Sequence, residues 1–170
     1  MNLAHHLSHK RAVLLEKWRD LLFASYAPET AGFLKGGKDR FSNPLAFRLS
    51  EGLKGLLEAL LTGAGREEVA AHLDEVIRIR AVQDFAPSQA LAFIFLLKDV
   101  IREELAKELQ ADARLAAEVL ELESRIDGLA LIAFDVFMKR REKLYEVRVD
   151  EVKSRVSGLL RKAGYDLNAV

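Results

Sequence analysis

Apolar residues recur along this chain at helical steps of three and four. A first helix is predicted from about Leu3 to Ser25, with Leu7, Leu14, Trp18, Leu21 and Leu22 on one face. Lys10, Arg11, Lys17 and Arg19 fall mostly off that stripe. Pro28 and the Gly36-Gly37 pair mark a connecting segment with one short turn around Glu29 to Leu34. Ser42 or Asn43 then supplies an N-cap, Pro44 the first helical position, and Gly63 a stop. Leu45, Leu49, Leu53, Leu56, Leu57 and Leu60 form the face between them. The next helix runs from about Arg66 to Gln83, opening on Glu67 and Glu68 and burying Val69, Leu73, Val76 and Ile77. Asp84-Phe-Ala-Pro87 interrupts the pattern, and a further helix follows to about Leu109. Its first half is apolar all round (Leu91, Phe93, Ile94, Phe95, Leu96, Leu97), which predicts a central, fully buried helix.

From Asp112 to Lys162 there is no proline, so a single helix of roughly 75 Å is predicted, too long to stay within a domain of this size. It carries two stripes. One is Leu115, Val119, Leu122, Ile126, Leu129, Ala133 and Val136. The other, about 140° further round, is Leu120, Asp127, Leu131, Phe134, Met138 and Tyr145. With one extra step of four it continues as Val149, Val152, Val156, Leu159 and Ala163, a stutter that coiled coils tolerate. Up to Met138 the second stripe could pack on another helix of the same chain. Beyond Tyr145 the other helices are used up, and parallel self-association is expected. The expected homodimer interface is Leu131, Phe134, Met138, Tyr145, Val149, Val152 and Val156. The chain thus divides into a body over 1–145, a linker helix over 146–163 and a tail over 164–170.

Composition sharpens this into an all-α bundle of about five to six helices with a long protruding C-terminal helix. Leu, Ala, Glu, Arg and Lys make up 94 of the 170 residues, which favours helix throughout. Zero cysteine excludes a disulfide scaffold, a thiolate metal site and a cysteine nucleophile. Lys+Arg and Asp+Glu balance at 26 each, so no global field drives binding to nucleic acid or anionic lipid. The longest apolar run, Ala90 to Leu97, is far short of a membrane span, and Met1 to Lys10 lacks the apolar core of a signal peptide. A soluble, cytoplasmic protein is expected. Residues 139–162 hold nine Lys/Arg against four Asp/Glu, but the acids interleave and Glu151 to Arg155 is a favourable helical pair. That reads as a solvated flank rather than a nucleic-acid surface.

Enzymatic chemistry has no visible apparatus: no nucleophile elbow, P-loop or dinucleotide fingerprint is present. His5 and His9 sit one helical turn apart without a third ligand nearby, so surface histidines are expected rather than a metal site. His72 is the sole candidate proximal ligand for haem, an alternative that would make the protein a gas sensor. No cofactor is expected. One polar cluster stands out. Arg80 falls in the middle of the Val69–Leu73–Val76–Ile77 face, and a buried charge there must pair, line a cavity or reach an interface. Asp84, Asp99 and Asp135 are the expected carboxylates, as a structural salt bridge or a ligand or partner site.

Val76-Ile-Arg-Ile-Arg-Ala-Val-Gln-Asp-Phe-Ala-Pro-Ser-Gln89, with the following Phe-Ile-Phe-Leu-Leu-Lys-Asp-Val-Ile-Arg, resembles the N-terminal domain of RsbR-type co-antagonists of the bacterial stressosome. Glu123 to Asp127, Phe134 to Tyr145, Leu15 to Trp18 and Asp39 to Pro44 extend the similarity, which runs from about Leu14 to Lys153. The resemblance implies a globin-like sensor domain that binds no haem, forms dimers and signals through a C-terminal linker helix. In that family a STAS or other output domain follows the linker. No βα pattern follows the rod before Val170, so the expected target is a separate protein partner, or the sequence is part of a longer chain. A ligand-free assembly adaptor is the other alternative.

Overall fold

Asn2, Asn43 and Asp112 cap three of the helix starts with their side chains. In this computed structural model, which describes residues 2–36, 41–83 and 85–165, eight helices and no strand are found among the described residues. α1 spans Leu3–Ala24 and α2 Pro28–Gly36. α3 (Pro44–Thr62) starts where the Asn43 side chain accepts from the Ala46 amide, with Pro44 behind it, and ends at Gly63 in the left-handed region (φ 70°). α4 is Arg66–Ala81. The predicted helix from Pro87 to Leu109 is three pieces: α5 (Pro87–Leu91), α6 (Phe93–Glu104) and α7 (Ala106–Ala111). α8 is one rod, Ala113–Lys162, whose first turn is capped by the Asp112 carboxylate accepting from the Arg114 and Leu115 amides.

The expectation of five to six helices therefore becomes eight, chiefly because the ladder is interrupted at Ala92 and Leu105. Neither break has a local glycine or proline. At the first, distant side chains hold the backbone carbonyls: Trp18 Nε1 donates to the Phe93 carbonyl at 2.6 Å, and Arg80 takes those of Gln89 and Ala90. The all-apolar stretch is also not buried on every side. Phe95 is 46% exposed, with the Lys98 ammonium 5.7 Å from its ring centroid, because α6 packs on α1 and α8 and leaves its third face to solvent.

α4 packs between α3 and the first part of α8, and α1 lies across α6 and α3. The α3–α4 crossing is close enough to require two glycines. A Cβ on Gly52 would lie 2.6 Å from Val76 Cγ2, and one on Gly55 would lie 2.3 Å from His72 Nδ1. Trp18 stacks on Phe93 (centroids 6.2 Å apart) at the centre of a core that includes Leu14, Leu53, Leu73, Ile77, Ile101 and Ile126. The inner stripe of α8 is buried from Leu115 to Ala133, after which Phe137, rather than Val136, closes it. Glu123 is buried beside that stripe and receives both Arg102 Nε (2.5 Å) and Nη2 (2.6 Å), which raises the guanidinium's pKa. Among the described residues no helix is long and apolar enough to cross a membrane.

Candidate functional site

Arg80 is wholly buried, as its place on the helical wheel predicts. Its expected partners are not there. Nε donates to the Ala90 carbonyl (2.9 Å), Nη2 to the Gln89 carbonyl (3.0 Å) and Nη1 to Ser25 Oγ (3.1 Å). Asp99 is exposed on α6, and Asp135 is exposed on the outside of α8, where it accepts from Arg66 Nη2 at 2.6 Å. The pairing of Arg80 with either is thus corrected: both carboxylates are hydrated on helix surfaces, whereas the guanidinium points inward. Asp84 lies outside the described residues.

Aromatic faces surround the charge. The guanidinium carbon is 4.4 Å from the Phe85 ring centroid, 4.9 Å from Tyr26 and 5.9 Å from Phe93. Tyr26 and Phe85 meet edge to face at 5.4 Å. Burial pushes Arg80 below its ordinary value, opposed in smaller part by Tyr26. The box therefore ties the end of α1, the end of α4 and the α5–α6 junction to one group that cannot easily give up its charge.

Tyr26 Oη is buried and has no hydrogen-bond partner among the described residues. Burial raises its pKa above the usual 10.0, the Arg80 charge opposing this. The folded protein keeps that proton where the unfolded chain would lose it, so the group's contribution is intact below pH 10.0 and falls as pH rises through the folded pKa. Tyr26→Phe should leave stability at neutral pH within about 1 kcal/mol and remove this alkaline loss. Urea melts of both proteins at neutral and alkaline pH check it; a much larger loss at neutral pH would mean that the hydroxyl has a partner.

One residue away from Arg80, the backbone connects to the rod. Arg141 Nη1 donates to the Ala81 carbonyl (3.1 Å), and its Nη2 to Tyr145 Oη (3.1 Å). Its guanidinium carbon lies 5.8 Å from the buried Phe137 ring and 5.4 Å from that of Tyr145. Arg140 forks onto Asp74 of α4. Phe137 is the last buried residue of α8 among the described residues, so these two arginines fasten the rod where it leaves the body. Sequence reading counted both only as part of a basic run. The available signal was Arg141 lying one helical turn before Tyr145 at the end of the inner stripe.

The outer stripe of α8 is bare. Leu131 is 72% exposed, Phe134 50% and Val152 59%, and Leu120, Met138, Tyr145, Val149, Val156 and Leu159 are exposed with them. The possibility that its first half packs on another helix of the same chain is therefore corrected: α4 and α6 use the inner faces of α8, and no helix among the described residues lies over this one. Asp127, within the stripe, is bonded by Lys98. Beside Leu131, a groove of about 440 Å³ opens between the α3–α4 turn and α8, lined by Leu60, Val69, Leu129 and Ile132.

His72 is half-buried, and its ring fills the space left by Gly55 at the α3–α4 crossing. The groove beside it carries Arg48, Glu51 and Glu75. His5 and His9 stack on the surface of α1 (centroids 6.3 Å), and no metal-holding group of three or more such side chains occurs among the described residues.

A family model described as the RsbT co-antagonist protein rsbRD N-terminal domain matches residues 12–152. Neither a curated protein nor a solved structure matches the chain. The match spans the helical body from within α1 onward, the Arg80 box, the Arg140–Arg141 fastening and the first turns of the free rod. A helical body with a rod leaving it fits a regulatory domain of the stressosome type, and the chain belongs to the RsbT co-antagonist protein rsbRD N-terminal domain family.

Proposed function

We propose that this chain is a non-enzymatic sensing and relay domain that works as a parallel homodimer in the cytoplasm. The observation that carries the reading is the bare outer stripe of α8, which runs from the body into the rod and is exposed among the described residues. Two copies would meet along Leu131, Phe134, Met138 and Tyr145, and Val149, Val152 and Val156 carry the same exposed apolar stripe on into the rod. The body over 1–145 receives a small ligand or a protein contact; the linker over 146–163 passes it on. The Arg80 box is the element best placed to respond, since it joins α1, α4 and the α5–α6 junction. From there the Ala81 carbonyl, Arg141 and Tyr145 form a short bonded route to the seam. Asp84 remains the carboxylate to test beside Arg80, whereas Asp99 and Asp135 would act, if at all, as surface contacts.

Cross-linking tests the pairing. The protein has no cysteine, so Met138→Cys introduces a single thiol. A seam residue meets its own copy only in a parallel, in-register pair. Oxidation should link Met138→Cys chains and leave Lys139→Cys chains, one position off the stripe, unlinked. Equal linking of both would contradict the seam.

Haem sensing and a ligand-free adaptor are separated from this reading by two further measurements. The purified protein with added haemin should show no stoichiometric Soret band that His72→Ala abolishes. A metabolite that raises the melting temperature of the native chain but not of Arg80→Lys would favour sensing through the box over a bare adaptor.

A further inference from the structure

The rod beyond Tyr145 has a charge pattern that the homodimer does not explain. Val149, Val152, Val156 and Leu159 form its exposed apolar stripe. On the helical wheel Arg148 and Arg155 fall along one edge of that stripe and Lys153 along the other, with Lys162 continuing the first. Asp150 and Glu151 fall on the far side. All of these charges are exposed, and among the described residues no carboxylate pairs with Arg148, Lys153 or Arg155; the expected Glu151–Arg155 pair is not formed. Nearer the body the pattern differs. Glu146 lies on an edge and pairs with Lys143 at 3.0 Å.

Edge positions decide which helix a coiled-coil seam accepts. At the root of the rod Arg141 is held by the Ala81 carbonyl and Tyr145 of its own chain. One heptad on, in a parallel, in-register pair, Arg148 would face the partner's Lys153, which is repulsive. The distal half of the rod is therefore the part of the outer stripe least suited to a second copy of this chain.

We propose that the distal rod, residues 148–162, is a docking strip for an acidic amphipathic helix of a separate protein. The incoming helix seats its apolar face on Val149, Val152, Val156 and Leu159 and sets Glu or Asp side chains against Arg148, Arg155 and Lys153. A nucleic acid or an anionic membrane fits less well: the basic rows are one residue wide, and the opposite face carries Asp150 and Glu151. This deepens the relay reading above and rests on it for the rod's role as the output end.

The probe is a labelled synthetic helix of about three heptads with an Ile/Leu seam and Glu at both edge positions, a pattern that disfavours its own self-pairing. A matched peptide carries Lys at the same edges. Fluorescence anisotropy is read with the intact chain. The Glu peptide should bind at least about tenfold tighter than the Lys peptide at low salt, the gap narrowing at about 0.5 M salt. Arg148→Glu, Lys153→Glu and Arg155→Glu together should reverse the preference, and Val152→Asp should weaken the Glu peptide. These side chains are exposed, so unchanged thermal melting confirms that each variant is folded. Equal binding of both peptides, no saturable binding of the Glu peptide, or tighter binding of duplex DNA or phosphatidylserine vesicles overturns the proposal. Light scattering on the same samples separates the two readings. A dimer that ignores the Glu peptide sinks this inference alone, and a monomer that binds it sinks the homodimer alone.

Discussion

Arg80→Ala is expected to be the most damaging single substitution in the body, lowering stability by about 3–5 kcal/mol. Three acceptors lose their donor at once: the Gln89 and Ala90 carbonyls and the Ser25 hydroxyl. A cavity also opens between the rings of Tyr26, Phe85 and Phe93. Arg80→Met refills much of that volume but restores no donor, so it should recover only about half of the loss. Because the acceptors are two backbone carbonyls and a hydroxyl, no second-site change of a carboxylate should make Met neutral. Arg80→Lys keeps the charge yet cannot fork to three acceptors, and should fall between Met and the native residue. Urea unfolding of the four proteins at neutral pH reads the series. If Arg80→Ala lies within about 0.5 kcal/mol of the native protein, the range of ordinary surface substitutions, the guanidinium is not holding the junction.

The second large effect concerns the outer stripe and should show in mass rather than in stability. Phe134 is half exposed in the single chain, so Phe134→Glu gives a carboxylate that stays hydrated and a body that melts almost as before. In the pair the same carboxylate meets its copy across an apolar seam, two like charges without water. Phe134→Glu should weaken the pair by at least about a hundredfold, or roughly 3 kcal/mol. Val152→Glu should have a smaller effect, since Arg148 facing the partner's Lys153 would already weaken the pair there. A Phe134→Glu protein that loses its fold would place Phe134 in the core instead.

How much of this was legible in the residues depends on the range of the interaction. Asn43 with Pro44, Gly63 and the unbroken run from Asp112 to Lys162 are local signals, and α3 and α8 begin and end close to where they place them. The burial of Arg80 was legible too, because the helical repeat puts it in line with Val69, Val76 and Ile77. Its partners were not. Backbone carbonyls leave no mark in a sequence, whereas Asp99 and Asp135 do, and the eye goes to the carboxylates. The break at Ala92 was hidden for the same reason: Trp18, 75 residues away in the chain, and Arg80 hold the carbonyls around it. Glu123 shows the reverse case. An acid next to Leu122 on the buried stripe was visible, but nothing in the sequence said that Arg102 would face it. The two stripes of α8 were readable as two faces; only the fold shows that the second is bare along both the body and the rod.

The central claim is that the outer face of α8 joins two copies of this chain. Light scattering of the intact protein at micromolar concentration tests it most directly. The account predicts about twice the chain mass of 19.1 kDa, shifting toward the single-chain value for Phe134→Glu. A native protein that elutes at 19.1 kDa across that range would contradict it.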